Sequence, residues 1–242
     1  MMMDIRDRRC LVVGGGTVAL RKVLGLLGAG AKVVVVSPEL HPELQVLKEQ
    51  GRIEHRHRSY RPEDLEAVVV GFAATDNPAV NTSVCQEARR RGIPVNSATR
   101  PDEGTFTVPA MIHRGDLTIA ISTGGVSPAL AQRLRQDLEV HLGEEYAEFL
   151  HLLEAIRPEV LRAIPTQEGR QTVFERLVHS DLLTLLRRGE REAARVRVAA
   201  LLQEAGISVE SSALTADRAR GSQPSAVGDE LPGELGSVNH EP

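Results

Sequence analysis

The 242-residue chain is 41% hydrophobic and 26% charged, enough apolar material for a packed core without a disulfide framework or wholesale disorder. Its 29 Lys and Arg against 33 Asp and Glu give a net charge of −4, which excludes a dominant basic footprint for nucleic acid. Lys22, Lys32 and Lys48 are the only lysines, leaving little for Schiff-base or pyridoxal chemistry, and the length predicts about one to two domains.

Asp4, Arg6, Asp7, Arg8 and Arg9 follow the initial methionines with no apolar run behind them, so no signal peptide is expected. Apolar runs such as 31–36 fall far short of the about 18 residues of a membrane span. Cys10 and Cys85 stand outside any Cys-x-x-Cys pair, so neither a bridge framework nor structural zinc is predicted. The expectation is a reduced, cytoplasmic, soluble chain without a membrane or nucleic-acid partner.

Residues 10–13 form a short apolar run before Gly14-Gly15-Gly16. Ala19, Val23, Leu26 and Leu27 then recur at helical spacing until Gly28-Ala29-Gly30 ends the helix. A β-branched strand at 33–36 runs into Ser37-Pro38, and a helix over 43–50 and a strand over 53–58 follow. A β-rich run at 67–74, a helix over 78–91 with Val80, Val84 and Ala88 on one face, and a strand at 93–97 complete the series. Strands alternating with helices predict a Rossmann-like, doubly wound parallel sheet, because parallel neighbours cannot be joined by tight turns.

Past about residue 100 the rhythm changes. A strand at 116–122 leads through Thr123-Gly124-Gly125 to Ser127-Pro128, a suitable N-cap and first-turn pair for a helix carrying Leu130, Leu134 and Leu138. From Tyr146 only helical periodicity remains, through Phe149, Leu150 and Leu153, then Phe174, Leu177, Val178 and Leu185, then Ala194, Val198, Leu201 and Leu202. Beyond about Ser211 the chain is rich in Ser, Gly and Pro, and its acidic residues predict a disordered tail. The expected division is 1–112, 113–145, 146–208 as a helical domain, and 209–242 as the tail.

Gly14-Gly15-Gly16-Thr17-Val18-Ala19 fits G-x-G-x-x-A between a strand and a helix, the pattern that sets a dinucleotide pyrophosphate on a helix N-terminus. The ribose-binding acid belongs near the end of the second strand, where Ser37, Pro38 and Glu39 stand, and no arginine there favours a 2′-phosphate. This selects NAD over NADP. Thr75 ends another strand on the same sheet edge as a further cofactor contact, although Asp76-Asn77-Pro78 also reads as an ordinary helix cap. The turn of Ser122, Thr123, Gly124 and Ser127, with Arg114 upstream and Arg133 and Arg135 downstream, suits a carboxylate-bearing ligand; a well-capped helix with solvated arginines reads equally well. His113 lies beside this turn, His55 and His57 share a strand face, and the other histidines are isolated, so no permanently held metal is expected.

The stretch from Cys10 to Lys22, then Ala73-Ala74-Thr75-Asp76, Phe106-Thr107-Val108-Pro109-Ala110, Arg114-Gly115-Asp116-Leu117 and the Ser122 to Pro128 turn together resemble the precorrin-2 dehydrogenase / sirohydrochlorin ferrochelatase family. The resemblance spans roughly residues 4–205, and the length matches the stand-alone form rather than a fusion with a methyltransferase domain. It implies NAD-dependent oxidation of precorrin-2 to sirohydrochlorin, with ferrous iron inserted in bifunctional members. It also implies a homodimer with a small α+β dimerisation segment after the nucleotide domain. Gly14, Gly15, Gly16, Thr17, Val18, Pro38 and Glu39 would hold NAD. The Ser122 turn would lie by the tetrapyrrole, Thr123 keeping the hydroxyl of the family's usual serine.

One segment departs. Where the family reads Asn-Val-Val-Asp, this chain has Asn96-Ser97-Ala98-Thr99, and a threonine has no carboxylate to take a proton or receive iron. Asp102 is the nearest replacement, although after Pro101 it also reads as a turn residue. Thr99 therefore keeps a second reading open, a protein that binds the nucleotide and tetrapyrrole without chemistry. A short-chain dehydrogenase would need Tyr-x-x-x-Lys, which neither Tyr60 nor Tyr146 provides, and no Gly-Lys-Ser/Thr loop supports an ATPase.

Overall fold

A computed structural model describes residues 3–207, which fall into two units, one ending at Phe106 and one beginning at Thr107. The first runs β1 (Arg9–Val13), α1 (Thr17–Gly28), β2 (Lys32–Ser37), α2 (Pro42–Glu49), β3 (Ile53–His57), β4 (Val70–Ala73), α3 (Pro78–Arg90) and β5 (Val95–Ser97). Its strands are all parallel and ordered β3-β2-β1-β4-β5, the Rossmann-like sheet that the sequence predicts. The valine-rich strands have two buried faces: Cys10, Val12, Val33 and Val35 pack with α1 and α2, and Leu11, Val13, Val34 and Val36 with α3. The run expected over 67–74 shortens to Val70–Ala73, because Ala67 takes a left-handed φ of 57° that no strand continues.

A 3-10 turn, Pro62–Leu65, rather than a full helix, makes the crossover from β3 to β4. Its Asp64 carboxylate is fully buried and accepts bonds of 2.5–2.9 Å from the Arg56 and Arg58 guanidinium groups and the Arg61 amide. Burial alone would raise this carboxyl, but the bonds from Arg58, the Arg61 amide and Arg56 outweigh it and lower it from 3.8 to about 2. The stabilisation is therefore complete above pH 4 and is lost as pH falls toward 2. Asp64→Asn is expected to cost about 2–3 kcal/mol in urea denaturation at neutral pH, less than a fully buried pair because both arginines reach water. The variant should also show a shallower acid-side loss of stability, since one lowered carboxyl is removed.

The second unit opens with an antiparallel hairpin, β6 (Ala110–Arg114) and β7 (Leu117–Ile121). Gly115 turns the chain at φ +54°, and a Cβ there would lie 2.9 Å from that of Ala147. The sequence predicts only the second of these strands, since β6 buries a single residue, Ile112. Because β6 pairs with β7, the division expected at 112/113 falls between Phe106 and Thr107. Among the described residues five helices follow: α4 (Pro128–Glu139), α5 (Glu145–Ala163), α6 (Gln167–Val178), α7 (Leu182–Arg187) and α8 (Arg191–Glu204). The stretch from Phe174 to Leu185 is not one helix: the Ser180 hydroxyl donates to the Leu177 carbonyl, and α7 starts afresh. Phe149, Ile156, Val160, Leu177, Leu182, Val198 and Leu202 fill the core between α5, α6, α7 and α8.

Leu130, Leu134 and Leu138 do share a face of α4, but they remain 49%, 40% and 42% exposed, so the stripe lies on the surface of this chain. Among the described residues no helix is long and apolar enough to cross a membrane. The tail expected over 209–242 lies outside the described residues.

Candidate dinucleotide site

The strand order reverses between β1 and β4, and ligands of doubly wound sheets bind outside the carboxyl ends of the strands at that point. Here the glycine loop leaves β1 beside the end of β4. Gly14 adopts φ +125°, and a Cβ on it would lie 2.2 Å from the Ala74 carbonyl oxygen. A Cβ on Gly15 would lie 1.9 Å from the Glu39 carbonyl oxygen, and the His41 amide donates to the Gly15 carbonyl at 2.7 Å. These two glycines therefore let three chain segments close on one another. Gly16 differs, because a Cβ there would meet nothing within 4 Å.

Gly16 is the N-cap of α1 and supplies no side-chain cap; the helix has no acid in its first turn, and Thr17 and Val18 are exposed. The first amides of a helix lack intrahelical partners and carry the positive end of its dipole. Open space over Gly16 together with these amides fits a pyrophosphate. Ala19, fully buried, brings the helix close onto the sheet.

At the end of β2 the ribose expectation changes. Ser37 is buried, and its hydroxyl donates to the Glu39 carbonyl at 2.6 Å. His55 Nε2 lies 3.0 Å from the Ser37 carbonyl and 3.2 Å from its hydroxyl. Burial lowers the His55 pKa, outweighing the Ser37 bond, so the ring is neutral at pH 7 and braces this turn. Ser37 thus shapes the loop from inside, whereas Pro38 and Glu39 are exposed.

On the other side of the switch, the Thr75 hydroxyl donates to Asn81 Oδ1 at 2.8 Å and lies 3.1 Å from the Asn77 carbonyl. Asn77 caps α3 by accepting from the Ala79 and Val80 amides, so the ordinary cap is present as well. Asn81 also donates to the Thr99 hydroxyl at 3.1 Å, which places Thr99 beside Thr75 at the sheet edge. Asp102 does not join this group; its carboxylate is 70% exposed and pairs with Arg100 at 3.3 Å. The sequence reading passed over Asn81. Its signal was a polar residue in register with Val84, Cys85 and Ala88, the buried stripe of α3.

In the second unit, Thr123 and Ser127 lock their own turn: the Thr123 hydroxyl donates to the Ser127 carbonyl and accepts from its amide. Ser127 caps α4 through the Leu130 amide, the Ser122 hydroxyl accepts from the Gly124 amide, and Gly124 and Gly125 take φ of +63° and +84°. Arg114 is not a spare cation for a ligand. Its guanidinium donates to the Leu142 and His113 carbonyls at 2.8 Å and pairs with Glu139. Arg133 and Arg135 pair within α4 to Asp137 and Glu139, and His113 lies 3.1 Å from the Thr118 hydroxyl. His55 and His57 stack at 5.7 Å, and among the described residues no three metal-ligating groups come together.

Comparison with known proteins matches residues 1–110 to the family described as putative NAD(P)-binding, 114–141 to the sirohaem biosynthesis protein central region, and 145–202 to the sirohaem synthase dimerisation region. The siroheme synthase of Thioalkalivibrio sulfidiphilus is 43% identical over 81% of this chain and 40% of that protein. The siroheme synthase of Methylobacillus flagellatus is 40% identical over 81% of this chain and 42% of that protein. The chain thus spans about two fifths of the length of these curated relatives. The solved structure of SirC, precorrin-2 dehydrogenase, superposes with a TM-score of 0.69 at 28% identity, covering 85% of this chain and 98% of that one. With all three regions matched in succession along the sequence, the chain carries the NAD(P)-binding, central and dimerisation regions of the siroheme synthase type.

Proposed function

We propose that this chain oxidises precorrin-2 to sirohydrochlorin with NAD. The observation that carries the reading is the open cradle over Gly16, directly after two glycines at which the fold forbids a side chain. The similarity to a precorrin-2 dehydrogenase over nearly all of that protein's length supports the substrate. NAD, when bound, supplies the hydride acceptor. The Gly14 to Gly16 main chain and the Thr17 and Val18 amides hold its pyrophosphate, and Thr75 borders it. Glu39, exposed beyond β2, bonds the ribose hydroxyls and would repel a 2′-phosphate. The turn of Ser122, Thr123, Gly124 and Ser127 takes the tetrapyrrole through its main chain and through the Ser122 and Ser127 hydroxyls. These two only accept within the turn and keep their protons to donate, whereas the Thr123 hydroxyl is engaged. The chain acts as a homodimer, which the exposed leucines of α4 and the match to a dimerisation region both support. The buried free thiols of Cys10 and Cys85 accord with action in the reducing cytoplasm.

Purified protein given enzymatically made precorrin-2 and NAD is expected to form NADH in step with the sirohydrochlorin spectrum, and NADP is expected to serve poorly. A ferrous iron arm then tests insertion, for which Thr99 offers no carboxylate. Binding of both ligands without NADH would hand the site to the second reading, the non-catalytic binding protein that the same threonine favours.

A further inference from the structure

Asn81 is fully buried in α3, among the apolar side chains of Val84, Cys85 and Ala88. A buried carboxamide is tolerated only when its bonding capacity is met, and this one uses both ends. Its Oδ1 accepts from the Thr75 amide at 3.1 Å and the Thr75 hydroxyl at 2.8 Å. Its Nδ2 donates to the Thr75 carbonyl at 2.8 Å and the Thr99 hydroxyl at 3.1 Å. One side chain thereby grips the whole peptide frame after β4 and the first hydroxyl after β5.

The grip on Thr75 bears on the glycine loop. The Ala74 carbonyl, in the same peptide group as the Thr75 amide, occupies the space that a Cβ on Gly14 would need. The Ala74 amide donates to Val13 at 2.8 Å, and the Ala98 amide to Ala73 at 2.9 Å, so the sheet ladder ends there. Beyond these bonds, Asn81 continues the registration of the β4 and β5 ends, on the β4 side of the switch point. Because Asn81 is the donor to Thr99, the hydroxyl proton of Thr99 points away from it. Thr99 is exposed, so that proton is available to a ligand.

We propose that Asn81 is a positioning residue that fixes the Thr75 peptide against the dinucleotide loop and turns the Thr99 hydroxyl outward as a donor to the bound cofactor. This rests on the reading of the glycine loop as an NAD site. A carboxylate at position 99 could only accept, whereas a threonine held in this way donates.

The test uses the full chain with Asn81→Leu, Asn81→Asp, Thr99→Val and the Asn81→Leu/Thr99→Val double variant. It reads NAD affinity by calorimetry, amide hydrogen exchange at Thr75 and Ala98, and thermal melting. Asn81→Leu is expected to release the Thr75 amide to exchange, keep the Ala98 amide protected, and weaken NAD about tenfold. Asn81→Asp keeps the acceptor and loses both donations, so it should protect the Thr75 amide partly yet weaken NAD nearly as much. Thr99→Val should weaken NAD several-fold alone and add nothing to Asn81→Leu. Unchanged NAD affinity in the Asn81 variants, or fully additive effects of the two sites, overturns the proposal. Global loss of protection at Ala98 does so too, by making Asn81 a general stability residue. A wild-type chain that binds no dinucleotide at all overturns the loop reading itself, a result distinct from each of these.

Discussion

Gly16→Asp is expected to leave the fold intact and to abolish NAD binding. The position has an ordinary φ of −86°, and a Cβ there meets nothing within 4 Å, so an aspartate adds no strain or clash. It does put a carboxylate where the pyrophosphate would sit. Two like charges about 4 Å apart at a half-shielded site repel by roughly 4 kcal/mol, about three orders of magnitude in affinity. Aspartate also suits an N-cap, so the melting temperature should hold or rise slightly while calorimetry registers no binding. Gly14→Ala is the contrasting control, because its Cβ would press on the Ala74 carbonyl at 2.2 Å in a φ of +125°. That variant should lose stability and affinity together. If Gly16→Asp binds NAD like the parent, the cradle is not the nucleotide site.

Leu134→Glu is expected to convert the proposed homodimer to a folded monomer. The side chain is 40% exposed in the single chain and lies between Leu130 and Leu138 on the same face of α4. In a two-fold interface each substitution counts twice. Only the exposed two fifths of each leucine is left to bury, so the two lose about 1–2 kcal/mol together, and burying two carboxylates adds several more, which weakens association by at least about a hundredfold. Analytical ultracentrifugation checks the mass, and melting in dilute solution checks that the chain remains folded. A dimer as tight as the parent's would mean that another face mediates association.

The sheet was legible because β1 and β2 are rich in valine, the loop between β1 and α1 is three glycines, and strand-like and helix-like segments alternate after them. The hairpin was half legible, since Leu117 to Ile121 reads as apolar while Ala110 to Arg114 buries only Ile112. Side-chain direction was not legible at all. Ser37 stands where a ribose ligand belongs, yet it faces inward because the Glu39 carbonyl is its nearest acceptor. Arg114 looked like a cation for a carboxylate, but the Leu142 and His113 carbonyls and Glu139, 25 residues away, claim its guanidinium. Such partners come from tertiary closure, which a linear pattern does not report. Leu130, Leu134 and Leu138 show a related limit, for periodicity finds an apolar face without saying whether the same chain covers it.

The short crossover after β3 leaves that outer strand with ions where a helix would otherwise lie. Arg9, Glu54, Arg56 and Arg58 form a linked series that ends on the buried Asp64. A rim of this kind stays hydrated and repels an invading segment, so the open margin makes a poor template for fibrous or edge-to-edge aggregation. The molecule protects its sheet from runaway growth with electrostatics instead of bulk, and does so with the arginines its lysine-poor composition favours.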